Sequence, residues 1–183
     1  FQPKFLQAVT AAAFAYAIMS FLMTATPMSM HLTEKMSLEK TGLVLQFHVA
    51  AMFLPSLITG HLIKKIGHSS IIYIGVLFLV VTIILSLFEQ TFVNYMVALI
   101  FLGFGWNFLF ISGTSLVVLT YKEEEKFRAQ GVNDLIVFTT MALASLLAGI
   151  LLILTSWETM NLICIPFLVL IVYSTFRADI LSK

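Results

Sequence analysis

The stretch TGHLIKKIGH, residues 59–68, interrupts a long apolar run with two lysines, Lys64 and Lys65, set between two glycines, Gly60 and Gly67. Apolar segments long enough to cross a bilayer lie on both sides of it. A link so short and so basic reads as a turn at a membrane surface. A hydrocarbon core about 30 Å thick takes about 20 helical residues. Working outward from this turn, six such runs can be traced, at about 6–30, 42–63, 70–88, 92–119, 131–155 and 160–176. The connections are short, so neighbouring helices should run antiparallel, with no room for a soluble domain. The expectation is one all-α membrane bundle covering residues 1–183.

Composition agrees with that reading. Hydrophobic residues make up 60% of the chain and charged residues 10%, with a mean hydropathy of +1.03. Soluble domains carry roughly a quarter charged residues, so this chain cannot cover its surface with polar groups and must face lipid. A net charge of +1 supplies no basic field for nucleic acid. The lone cysteine, Cys164, excludes an internal disulfide and leaves no cluster for a metal. Gly103-Phe104-Gly105 lacks the third glycine and the preceding strand of a dinucleotide loop, so no cofactor is expected. There is no nucleophile elbow and no pair of intramembrane aspartates, which argues against an enzyme. The chain opens on Phe1 rather than Met, and more spans follow its first apolar segment. A fragment or half of something longer is therefore expected, rather than a cleaved leader.

Basic residues then orient the bundle. One side would carry Lys4, Lys64, Lys65, Lys122, Lys126, Arg128, Arg177 and Lys183, and the other only Lys35 and Lys40. Eight against two places the first side, with both termini and the basic turn, in the cytoplasm.

The six helices fall into two sets of three. The first carries Pro27 near its outer end, and the fourth carries Gly103, Gly105 and Gly113 around Trp106 and Asn107. Interruptions in corresponding members of two triplets point to an inverted repeat with a binding site between. The third and sixth helices are plainly aliphatic and read as lipid-facing supports.

On these residues the chain resembles the C-terminal six-helix half of a bacterial major facilitator superfamily transporter. The superfamily's turn between the second and third helices of a half reads roughly G-x-x-x-D-R-x-G-R-R. Here Gly60, Lys65 and Gly67 fit, Lys64 replaces the acidic position, and His68 and Ser69 replace the final basic pair. The stretch TYKEEEKFRAQGVNDLIVF, residues 120–138, is similar to the superfamily's helix 10–11 connection, with Arg128, Gln130, Gly131, Asn133 and Asp134 as the matching residues. ATPMSMH (25–31) and QFHVAAMFLPSLITG (46–60) are similar to the seventh and eighth helices of one bacterial subgroup. The resemblance implies two inverted three-helix repeats and an inner-membrane location. It also implies an N-terminal six-helix half as partner, and alternating-access transport of a small organic solute, either efflux of drugs or metabolites or uptake of a vitamin-like molecule. A non-transporting assembly module of six helices is the alternative. Six further spans upstream of Phe1 would discriminate against it.

Two groups of residues stand out as candidates. Lys64 and Lys65, with Gly60 and Gly67 allowing a sharp turn and close helix approach, could pair with Asp134 as a cytoplasmic latch that forms in one transport state. Arg128, Gln130 and Asn133 belong to the same latch region. The other reading makes both lysines topology anchors that touch only headgroups. The second group is polar at lipid depth, where side chains usually face the bundle interior or water. His48, Met52, Pro55, Ser56 and Thr59 share one face of the second helix, with Gln46 about 200° away from His48. Tyr16, Ser20, Thr24 and Pro27 form a stripe on the first helix. Trp106 and Asn107 would offer a flat apolar surface beside an amide, the usual make-up of a solute site. Thr24, Gln46, His48, Trp106 and Asn107 are thus expected to border the solute path. His48, able to titrate near neutral pH, would permit proton coupling. The competing readings are a neutral histidine bonded to a neighbouring helix, glycines serving close packing, and Trp106 facing lipid.

Overall fold

The computed structural model describes residues 2–181; Phe1, Ser182 and Lys183, the last counted above on the basic side, lie outside the described residues. Among the described residues the secondary structure is helical throughout, with no strand. The helices are α1 (Pro3–Met28), α2 (Leu38–Phe53), α3 (Ser56–Ile66), α4 (His68–Ser86), α5 (Phe92–Val117), α6 (Lys126–Leu154), α7 (Trp157–Ile163) and α8 (Ile165–Leu181). They make six spans long and apolar enough to cross a membrane, with α2–α3 and α7–α8 each contributing one.

The starts and breaks follow from local chemistry. Ser37, Thr91 and Ser156 cap α2, α5 and α7, each accepting a backbone N–H three residues on, which satisfies one of the unpaired donors at a helix start. Pro27 sits inside α1 and is followed by a π-helical turn, Ser29–Thr33. Pro55 has no N–H to continue the ladder and clashes with the preceding turn, so the second span divides into α2 and α3 rather than running unbroken from 42 to 63. Pro166 accompanies a similar break after Cys164. Gly67 alone joins α3 to α4, with φ 84°, a conformation that costs glycine nothing and a side chain about 1 kcal/mol or more.

The spans pack as an inverted pair of triplets. In the first triplet α1 is central, and in the second α5. These two pack against each other, and each takes the middle span of the other triplet as its neighbour: α1 packs along α6, and α5 along α2–α3. The third spans, α4 and α7–α8, pack on the outside, α4 along α5 and α8 along α1. That exchange of partners is the two-fold relation expected of the repeat.

The hub is α5, and its glycines explain how. A Cβ on Gly103 would stand 2.9 Å from both the His48 carbonyl oxygen and Ala51 Cβ. One on Gly105 would stand 2.6 Å from Leu79, and one on Gly113 would stand 2.7 Å from the Ala8 carbonyl oxygen. The three glycines therefore admit α2, α4 and α1 respectively. Lipid tails are as apolar as leucine, so contact this close, rather than water exclusion, is what holds helices together in a bilayer. Gly60 behaves differently: a Cβ there would meet nothing within 4 Å. The close approach expected at Gly60 is not made within this chain, because Gly60 sits on the exposed side of α3.

Candidate functional site

The clearest constellation is a strip of aromatic rings that crosses four helices. Phe53 at the end of α2 lies 6.0 Å from Trp106 of α5, ring centre to ring centre. Trp106 lies 5.4 Å from Tyr16 of α1, edge to face, and Tyr16 lies 6.1 Å from Phe138 of α6. Phe110, one turn along α5, stacks on Trp106 at 5.0 Å with planes 11° apart and also meets Tyr16. The strip thus joins both repeats. Its ends, Phe53 and Phe138, are 59% and 51% exposed, whereas Trp106 is buried. The indole Nε1 has no acceptor among the described residues. Leaving a buried donor unpaired costs about 1–3 kcal/mol, and a conformation that retains one invites a functional explanation.

Polar groups lie two turns outward of the strip, about 10 Å along the helices. Thr24 of α1 and Ser145 of α6 share a hydrogen bond at 3.1 Å, seven residues beyond Phe138 on the α6 side. Gln46, exposed, stands seven residues before Phe53 on the same face of α2. Since α1 and α6 run in the opposite direction to α2, all of these lie towards one end of the bundle. Aromatic rings and polar rungs therefore form a graded surface.

His48 and Asn107 sit behind this surface, in the seam between α2–α3 and α5, with no exposed area. His48 Nδ1 donates to the Leu99 carbonyl at 2.7 Å, so Nδ1 carries a proton; Nε2 has no partner among the described residues. Asn107 Nδ2 donates to the Met52 carbonyl at 2.7 Å and to Ser56 Oγ at 2.6 Å, while its Oδ1 accepts from Thr59 at 2.7 Å. The amide bridges the Pro55 break, and its hydrogen-bonding capacity is used within the bundle.

The pairing expected between Lys64 or Lys65 and Asp134 is not formed among the described residues. Lys64, Lys65, Arg128 and Asp134 are all exposed, and Asp134 accepts from the neighbouring Asn133 amide at 3.0 Å. Gln130 donates to Tyr121 Oη at 2.7 Å. Among the described residues the ion pair formed is Lys126–Glu123, at 3.4 Å on the surface.

A further polar cluster had no counterpart in the sequence reading. Buried Gln7 of α1 donates to Ser69 Oγ at 2.9 Å, and Ser69 donates to Asp179 Oδ1 at 2.6 Å. Tyr73 reaches the other carboxylate oxygen at 3.4 Å. It ties the basic ends of α1, α4 and α8 together. Phe53, Phe110 and Phe138 were missed as well, since nothing separates them by sequence from the other phenylalanines among 17.

Comparison with known proteins adds the family. Residues 8–179 match the Major Facilitator Superfamily. The chain is 40% identical over 169 residues, 92% of its length, to the riboflavin transporter RfnT of Brucella anthropi. It is also similar to two MFS-type transporters of Bacillus subtilis, YdeG at 32% identity over 80% of this chain and YddS at 30% over 81%. The matched region is 42% of the first relative and 34% of each of the others, so the chain spans less than half the length of these relatives.

Proposed function

Because this chain belongs to the Major Facilitator Superfamily, we propose that it forms one wall of a secondary transporter that moves a small, flat, vitamin-like solute by alternating access, with an N-terminal six-helix half as the other wall. The observation that carries the solute class is the aromatic strip from Phe53 through Trp106 and Tyr16 to Phe138. A conjugated ring gains about 0.5–1.5 kcal/mol per well-oriented aromatic contact beyond its area burial, and the unpaired Trp106 Nε1 is a donor for a ring carbonyl or nitrogen. Gln46 and the Thr24–Ser145 rung, about 10 Å outward, suit a hydroxylated tail. A flavin has both parts, and the similarity to a riboflavin transporter supports it. His48 and Asn107 complete the site from behind, Asn107 by holding the broken second span and His48 as the titratable group through which protons couple to transport. On the basic asymmetry of the sequence, both termini and Lys64 face the cytoplasm of a bacterial inner membrane.

Inside-out and right-side-out vesicles carrying the intact transporter test this directly, with riboflavin fluorescence as the readout. Saturable riboflavin movement is expected, with Trp106→Ala weakening apparent affinity about tenfold, or about 1.4 kcal/mol, and Val80→Ala changing nothing. No saturable flavin movement would end the flavin reading. No solute movement of any kind, across a panel of planar vitamins and dyes, would end the transporter reading. Orientation has its own check. In a Cys164-free background, an impermeant thiol reagent applied to intact cells should label Lys35→Cys and not Lys64→Cys.

A further inference from the structure

The surface of α1 and α8 carries a second binding feature, independent of the solute path. We infer that the groove between these helices at the basic end of the bundle binds one acyl chain of an anionic phospholipid, with Arg177 holding the headgroup phosphate.

The groove has a volume of about 230 Å³ and is walled by Leu6 and Phe14 of α1 and by Leu170 and Tyr173 of α8, with Arg177 at its mouth. Phe14 lies eleven residues from the start of α1, so the groove runs about 16 Å along the helices. That is half of a 30 Å hydrocarbon core, the depth of one leaflet. Its deep end is closed by the Phe14–Phe167 ring pair, 5.2 Å apart. Beyond that pair lies a separate cavity of about 110 Å³ towards the other leaflet, lined by apolar residues such as Ala17, Phe21 and Leu147 and by no cation. The floor of the groove is polar by composition but presents no unmet group. Thr10 and Ser174 share a hydrogen bond at 2.6 Å, and Thr10 also donates to the Leu6 carbonyl at 2.8 Å. Such a floor suits hydrocarbon.

The mouth suits phosphate. Arg177 is exposed, and its guanidinium can grip two phosphate oxygens at once. Tyr173 stands one turn deeper on the same face and is 60% exposed, an amphipathic ring of the kind that sits well at a membrane interface. The one carboxylate nearby in sequence, Asp179, accepts from Ser69 and Tyr73 on the α4 side, and residues two apart on a helix do not face each other. The basic end of the bundle already attracts anionic lipid through its excess of lysine and arginine. A zwitterionic lipid would fill the same groove but bring a competing cation to Arg177.

The test uses the intact transporter in nanodiscs of phosphatidylcholine containing spin-labelled phosphatidylglycerol or spin-labelled phosphatidylcholine. The expected spectrum has, beyond the boundary lipid common to both labels, an immobilised excess of about one phosphatidylglycerol per transporter. Arg177→Gln should lower the preference for phosphatidylglycerol over phosphatidylcholine about fivefold, the value of one basic contact at a membrane surface. Leu170→Trp, which fills the groove, should remove the phosphatidylglycerol excess while leaving the common boundary component, which guards against a fold effect of the arginine change. Unchanged selectivity in Arg177→Gln, or a phosphatidylglycerol excess that persists in Leu170→Trp, would overturn the site.

Discussion

Two seams of this bundle are related by its internal repeat, yet they are built differently. Where α5 meets α2–α3, His48 and Asn107 hold four hydrogen bonds across or beside the contact, and Gly103 lets the backbones touch. Where α1 meets α6, the contact includes Ala12, Ala13 and Val137 and the Tyr16–Phe138 ring pair, with the Thr24–Ser145 bond as its polar tie. Thr140 reaches the Ala13 carbonyl only at 3.5 Å, while bonding its own helix at 2.9 Å. The first seam is held by several directional bonds that fix one register; the second is held mostly by apolar contact.

The largest effect should separate the seams by steric means. Gly103→Ala puts a methyl 2.9 Å from backbone and Ala51, and overpacking of this kind costs about 1–3 kcal/mol. Gly149→Ala on α6 meets only the flexible Met28 side chain, at 3.8 Å, and should be neutral or slightly stabilising. Thermal unfolding of the intact transporter in detergent measures both, and equal shifts would abolish the distinction. Next, Asn107→Ala removes three bonds and strands buried partners. Interhelical bonds in membranes are worth about 0.6 kcal/mol each on average, so a loss of about 2 kcal/mol is expected, against about 0.6 kcal/mol for Thr24→Ala. A double change at both sites should be additive, since they lie in different seams.

His48→Gln sharpens the comparison rather than breaking it. Glutamine can still donate to the Leu99 carbonyl but cannot titrate, so stability should fall by less than about 1 kcal/mol. Transport rate measured from pH 5.5 to 8 should lose its pH dependence; a profile identical to the unmodified protein would remove His48 from proton coupling. For Asp134→Asn the expected effect on stability is slight, since the change breaks no ion pair among the described residues. An exposed pair formed only in another state is worth at most about 1 kcal/mol, a fivefold change in the ratio of inward- to outward-facing forms. Distances between spin labels on the two halves would report it, and an unchanged distribution leaves Lys64 and Lys65 as anchors alone.

Much of the fold could be read from hydropathy, because six apolar runs separated by charged or capping residues leave few alternatives in a bilayer. The Pro55 break was less visible, since proline is tolerated inside membrane helices and only the structure gives Asn107 as its brace. The glycines of α5 were recognisable as a group, but their division among three neighbouring helices depends on packing, which periodicity does not encode. The proposed solute wall was legible only in part. Trp106, Thr24 and Gln46 announced themselves as unusual at lipid depth, whereas Phe53 and Phe138 look like every other lipid-compatible ring until four helices bring them into one line.

The turn at Gly67 has one last consequence, which is mechanical. The second and third spans are joined by a single residue, while the links Leu87–Thr91 and 118–125 have five and eight. A longer loop is a tether that absorbs displacement, but a single glycine supplies only two torsions. Any tilt of α3 must therefore reach α4 as rotation about those two bonds, with no slack, and Lys64 and Lys65 travel with the lever rather than with the loop.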